Sequence, residues 1–202
     1  MVRGSPGWPC RADETVRTVI SLGFSAHLVT TGLGPLFDGI GHAVVTPQDL
    51  LPVIAIALLA GLGGKAYARK VLFILPAAWL VGGLLGMTLQ WSAPLGTTAL
   101  SFLILGGLVV ADRPVSEKTG MALAVALGLL HGQMSGVEMQ VAGIGLVGIL
   151  GTLGTLFALV SLVTGLVVSL ERPWTRIAVR VAGSWIVAVG LLYVGWTFGA
   201  GG

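Results

Sequence analysis

Val71-Leu-Phe-Ile-Leu-Pro-Ala-Ala-Trp-Leu-Val-Gly-Gly-Leu-Leu-Gly-Met-Thr-Leu-Gln-Trp91 runs for 21 residues without a charged side chain, directly after the basic pair Arg69-Lys70. As an α-helix it covers about 30 Å, the hydrocarbon thickness of a bilayer. Similar runs flank it. Before it lie Val16 to about Leu33 and a shorter helix from Thr46 to about Leu62; after it come Ala93 to Ala111, Thr119 to about Val137, Met139 to Leu170 and Ile177 to Phe198. Only 9% of the 202 residues are charged, against about a quarter in a soluble domain. The expected fold is all-α: a polytopic transmembrane bundle of about seven spans. It forms one domain over residues 16–202, preceded by a polar segment, residues 1–15. The run from Met139 is over-long and implies tilt.

The connections carry the charge. Arg3, Arg11 and Arg17, then Lys65, Arg69 and Lys70, then Arg113 and Lys118, then Arg172, Arg176 and Arg180 account for all 11 Lys and Arg. Seven crossings place every one on a single side, which by the positive-inside rule is the cytoplasmic side. The expectation is an integral protein of the inner (plasma) membrane, N-terminus in the cytoplasm and C-terminus outside. The net charge of +3 then reflects topology, and no nucleic-acid partner is expected. Cys10 has no second cysteine to pair with, and the start of the chain shows no cleaved signal peptide.

Between the first two runs the pattern breaks. Gly32, Gly34 and Pro35 interrupt the helix, and Gly34 to Thr46 is too short to span. A re-entrant segment fits, tolerable at membrane depth where it is packed in protein or lines a cavity. Thr46-Pro47-Gln48-Asp49 reads as a helix start, with threonine as cap and Asp49 as a first-turn acid.

The polar chemistry collects in two places. Two of the three histidines, His27 and His42, flank Asp38; the third, His131, precedes Glu138 by seven residues. On a helix His131, Ser135 and Glu138 share a face, with Met134 beside them. Next to that stripe Gly120, Ala124, Gly128, Gly132 and Gly136 recur every fourth residue, a small-residue ridge for close helix approach. His27 and His131 fall roughly 15 to 18 Å from the inner boundary. Asp38, His42, Asp49 and Glu138 fall towards the outer side. Imidazole with carboxylate suits Ni²⁺, Co²⁺, Zn²⁺ or Cu²⁺, so His27, Asp38, His42, His131 and Glu138 are the expected metal ligands. Ionisable side chains within a membrane are costly and point to function.

Gly32-Leu-Gly-Pro-Leu-Phe-Asp-Gly-Ile-Gly-His42 and His131-Gly-Gln-Met-Ser-Gly-Val-Glu138 resemble the two motifs of the HupE/UreJ family, membrane proteins associated with hydrogenase and urease. The resemblance implies a nickel, or sometimes cobalt, permease. It assigns Asp38 and His42 to the first motif and His131 and Glu138 to the second. It departs from many members in the four-residue spacing of Asp38 and His42, and in Ser135 where a second histidine stands.

The expected function is therefore uptake of a divalent metal ion, Ni²⁺ first, by a protein that is not an enzyme and holds no organic cofactor. The bilayer, metalloenzyme maturation proteins and further copies of the chain are the other expected partners. Two alternatives stand beside it: a non-transporting accessory or assembly subunit, and a haem carrier using His27 and His131. An intramembrane serine protease is disfavoured, because no histidine follows Ser135.

Overall fold

The computed structural model describes residues 31–89, 96–113, 115–169 and 173–199. Among these residues the chain forms seven helices and no strand. They are α1 (Pro35–Val45), α2 (Pro47–Leu62), α3 (Lys65–Leu89), α4 (Gly96–Ala111), α5 (Glu117–Val141), α6 (Gly145–Ser169) and α7 (Pro173–Gly199). Four of them, α3, α5, α6 and α7, are long and apolar enough to cross a membrane; α4 is a shorter apolar helix. α1 and α2 form an apolar pair bent by 69°, the geometry of a broken span or of a re-entrant loop. The protein is a polytopic helical membrane bundle. The first expected span, with His27, lies outside the described residues apart from its last three positions.

The bend has a local cause. Pro47 disfavours the helical conformation for the residue before it, and Thr46 sits at φ −87°, ψ 101°. Thr46 does precede the helix as expected, but its side chain makes no cap hydrogen bond.

α2 is the axis of the bundle. Ala55, Ile56, Ala57 and Ala60 are fully buried, with Val53 and Leu59 beside them, as expected of a helix surrounded on all sides. α3 and α5 are its most tightly paired neighbours and run parallel. The expected ridge is where they meet. Gly128 faces the backbone of Leu75 and Trp79, Gly132 that of Trp79 and Gly136 that of Gly83. α3 answers with Gly82 against the Leu129 carbonyl and Gly86 against that of Gln133. At each of these positions a Cβ would overlap the opposite backbone.

α5 and α6 divide differently from the expectation. α5 continues to Val141, and α6 begins only at Gly145. The over-long sixth span is therefore corrected: Met139 belongs to α5, and α6 has 25 residues. Gly143, at φ +73°, turns the chain between them, a conformation glycine adopts at little cost. At the other end of α5, Ser116 is the expected cap, its Oγ accepting from Thr119 N at 3.1 Å. Ser116→Ala should cost about 1 kcal/mol, read as a lower melting temperature in detergent.

The start of α3 meets the start of α5 through the ion pair Lys70–Glu117. The end of α4 meets the start of α7, where Arg180 Nε donates to the Val110 carbonyl at 3.1 Å. All described Lys and Arg residues, from Lys65 to Arg180, thus gather at one end of the bundle.

Candidate functional site

Asp49 sits in the first turn of α2, where its side chain is 9% exposed. Its Oδ1 is 3.1 Å from His131 Nδ1 on α5. Its Oδ2 accepts from Ser135 Oγ, one turn further along α5, at 3.0 Å. The same Oδ2 lies 3.4 Å from His42 Nε2 on α1. Three helices therefore converge on one carboxylate. Asp49 is thus more than the helix-start acid that its position suggests. The 69° bend starts α2 deep in the bundle: Asp49 lies about 20 Å above Leu62, level with His131, about 20 Å above Glu117. Asp49 and His42 are packed in protein at that depth rather than exposed in an outer loop.

His42 is 1% exposed. Its Nδ1 faces Thr46 Oγ1 at 3.4 Å, and its Nε2 faces Glu138 Oε2 at 3.1 Å. Despite two carboxylate oxygens within reach, Nε2 makes no hydrogen bond of good geometry. Glu138, with 27% of its side chain exposed, forms the rim of the cluster.

His131 is held from both sides. Its Nε2 is 3.1 Å from Ser101 Oγ on α4, and Ser101 Oγ also donates to the Thr98 carbonyl at 2.7 Å. Trp79 of α3 lies against the ring, centroids 5.9 Å apart. The close α3–α5 approach at Gly132 brings Trp79 there.

Of the five expected ligands, the structure brings His42, His131 and Glu138 together around Asp49. His27 lies outside the described residues. Asp38 is buried on the same face of α1 as His42, one turn earlier, and is engaged elsewhere. Its Oδ1 accepts from Thr31 N at 2.6 Å and Thr31 Oγ1 at 2.7 Å, closing the turn that leads into α1. Asp38→Asn retains an oxygen acceptor for Thr31, so any divalent-ion affinity of the cluster is expected to stay within about threefold of wild type in a calorimetric titration. A loss of more than tenfold would make Asp38 a ligand.

Sequence reading gives Asp49 only the role of a first-turn acid and does not single out Ser101 or Trp79, three residues that the structure places in the site. Asp49 alone left a signal, as one of only eight acids in the chain and seven residues after His42. Nearby, Gln48 Nε2 donates to Tyr193 Oη at 2.9 Å and ties α7 to the bend. On the far side of α1, Thr152 Oγ1 of α6 donates to the Gly39 carbonyl at 3.1 Å.

Among the described residues, no three His, Cys, Asp or Glu side chains are already arranged to hold a metal ion. Two pairwise separations at His42 nonetheless fall in the range of ligands that share an ion. Two ligands each 2.0–2.2 Å from one ion lie about 3.0–3.5 Å apart in octahedral or tetrahedral geometry. The separations of His42 Nε2 from Glu138 Oε2 and Asp49 Oδ2 are 3.1 and 3.4 Å. His131 and Ser135, by contrast, bond to Asp49 itself and fix its orientation.

Comparison with known protein families matches residues 16–193 to the family described as HupE / UreJ protein. The chain belongs to the HupE/UreJ family. The match covers most of the sequence, including both polar segments and every helix that contributes to the cluster. HupE/UreJ proteins are membrane accessory and permease proteins associated with nickel or cobalt uptake or with accessory functions. No curated protein and no solved structure matches the chain.

Proposed function

We propose that this HupE/UreJ protein takes up a divalent transition-metal ion, Ni²⁺ first and Co²⁺ second, through His42, Asp49 and Glu138. The observation that carries this reading is His42 Nε2. In the tautomer that directs the Nδ1 proton to Thr46, Nε2 presents a lone pair to two carboxylate oxygens. Three electron-rich atoms then face one another in a buried place, which favours a cation between them. Two carboxylates balance the charge of a divalent ion, and the mixture of nitrogen and oxygen donors favours a transition metal over Mg²⁺ or Ca²⁺.

The ion reaches Glu138 first, because it is the exposed member of the cluster. Drawing its carboxylate inward completes a three-ligand set with Asp49 and His42. His131 and Ser135 keep Asp49 aimed at the ion. With the basic end in the cytoplasm, the mouth at Glu138 faces outward, and the cluster lies roughly 10 to 15 Å below the outer end of α5. A helix break beside an ion site within the membrane is a recurrent feature of secondary transporters. The bend at Thr46 is the joint about which α1 can move relative to α2.

The test is calorimetric titration of purified protein with Ni²⁺, followed by flux into liposomes. About one ion bound per chain is expected, with His42→Ala lowering affinity at least about tenfold. Wild-type protein that binds no divalent ion would sink the metal reading. Binding without flux, together with co-purification of metalloenzyme maturation proteins, would favour the accessory role. The haem alternative has little support at His131, whose two ring nitrogens face Asp49 and Ser101.

A further inference from the structure

At the basic end, opposite Glu138, the helix ends surround a cavity of about 450 Å³. α2 contributes Leu59, Leu62 and Gly63, α3 contributes Tyr67, the α4–α5 connection Asp112, Arg113 and Val115, and α7 Arg176. The size falls among small-molecule pockets, about 300–1,000 Å³. The lining has two distinct parts. Leu59, Leu62, Val115 and the Tyr67 ring make an apolar wall. Arg113 and Arg176 supply two guanidinium groups against one carboxylate, Asp112.

That carboxylate does not neutralise the pair. Asp112 Oδ2 is 3.9 Å from Arg176 Nη1, too long for a hydrogen bond, and Arg113 forms no ion pair among the described residues. Asp112 also sits at φ +46°, the only described non-glycine residue with positive φ. Arg180, the third arginine nearby, is occupied with the Val110 carbonyl. The cavity thus sets two planar cationic forks, of which only Arg176 has a carboxylate within 4 Å among the described residues, beside an apolar wall, at the end of the bundle where the described Lys and Arg gather. Arginine forks match phosphate oxygens bidentately. Basic pockets between membrane helices hold anionic headgroups in this way.

We propose that this cavity binds the phosphate of an anionic phospholipid, with Arg113 and Arg176 on the phosphate oxygens and the start of the acyl region against Leu59, Leu62 and Val115. The site is independent of the metal cluster, since it shares no residue with it and lies at the other end of the bundle.

The experiment is a thermal melt of the full chain in a neutral detergent, with added phosphatidylglycerol, phosphatidylcholine or inorganic phosphate. Arg113→Gln/Arg176→Gln is compared with Lys65→Gln/Lys118→Gln, which removes the same charge from the same end outside the cavity. Phosphatidylglycerol is expected to raise the melting temperature by several degrees where phosphatidylcholine does not. The arginine variant should lose that shift, and the lysine variant should keep it. A shift with inorganic phosphate alone, also lost in the arginine variant, would keep the phosphate site but make a free anion its occupant, overturning the lipid assignment. Equal shifts with both lipids, or a phosphatidylglycerol shift that survives in the arginine variant, would overturn the proposal. The arginines are on the surface, so the variants should fold; an unchanged melting temperature without lipid verifies this.

Discussion

Asp49→Asn is expected to lower Ni²⁺ affinity by about 100-fold or more while leaving the bundle folded. The expectation follows from what Asp49 touches. It receives His131 Nδ1 and Ser135 Oγ at 3.1 and 3.0 Å, and its Oδ2 faces His42 Nε2 at 3.4 Å. Asparagine has the same shape and can still accept from His131 or donate to Ser135, so the packing survives. It lacks the negative charge, and its NH₂ group is no ligand. In the proposed three-ligand set, Asp49→Asn removes one ligand, together with half of the charge that would balance a divalent ion. Losing even a second-layer partner costs about 10- to 100-fold in metal affinity. Asp49→Leu separates the two roles. It strands His131 Nδ1 and Ser135 Oγ without partners, at about 1–3 kcal/mol for each buried group. That variant should melt several degrees lower as well as fail to bind. Calorimetric titration beside a thermal melt reads both quantities. If Asp49→Asn binds Ni²⁺ within threefold of wild type, Asp49 is only a structural partner of His131.

Gly136→Leu is expected to cost about 3 kcal/mol or more, at the upper end of the usual range for overpacking. For a chain of this size that is of order 10 °C in melting temperature. A Cβ at Gly136 falls onto the backbone of Gly83, which cannot rotate away. α3 and α5 must separate at that level, and Ser135 and Glu138 lie within two residues of the change. Ni²⁺ binding should therefore fall with stability, although Gly136 has no donor side chain. Gly154→Leu on α6 is the control, since nothing lies within 4 Å of a Cβ there. It should stay within about 0.5 kcal/mol of wild type. Equal melting temperatures for the two variants would contradict the close α3–α5 contact.

Much of this architecture was legible in the residues themselves. Runs such as Val71–Trp91 exceed the bilayer thickness without a charge, so helices across a membrane are the arrangement that satisfies their backbone groups. The four-residue repeat from Gly120 to Gly136 marked the tight face of α5, because helical periodicity is a local property. His131, Ser135 and Glu138 were legible on one stripe for the same reason. The restriction of Lys and Arg to alternate connections foretold that they would meet at one end. Boundaries were less legible where glycine decided them. The turn at Gly143 lies within an apolar stretch, and hydropathy alone joined Met139 to the helix that follows.

What the tertiary structure decided is which carboxylate the histidines share. His42 and Asp49 stand on opposite sides of a 69° bend, and i, i+4 arithmetic does not carry through a break in the helix. Asp49 and His131 are 82 positions apart, and the depth at which α2 begins set that meeting. Asp38 shows the converse. Its four-residue spacing from His42 does put both on the buried face of α1, yet Thr31 occupies its Oδ1. Sequence by itself determined the helices, their polar faces and the end where charge collects, because each of these follows from periodicity and transfer energy along a single segment. The pairing of Asp49 with both histidines came only from the packing of α1, α2 and α5, because contacts between segments depend on where each helix starts and how sharply the chain turns.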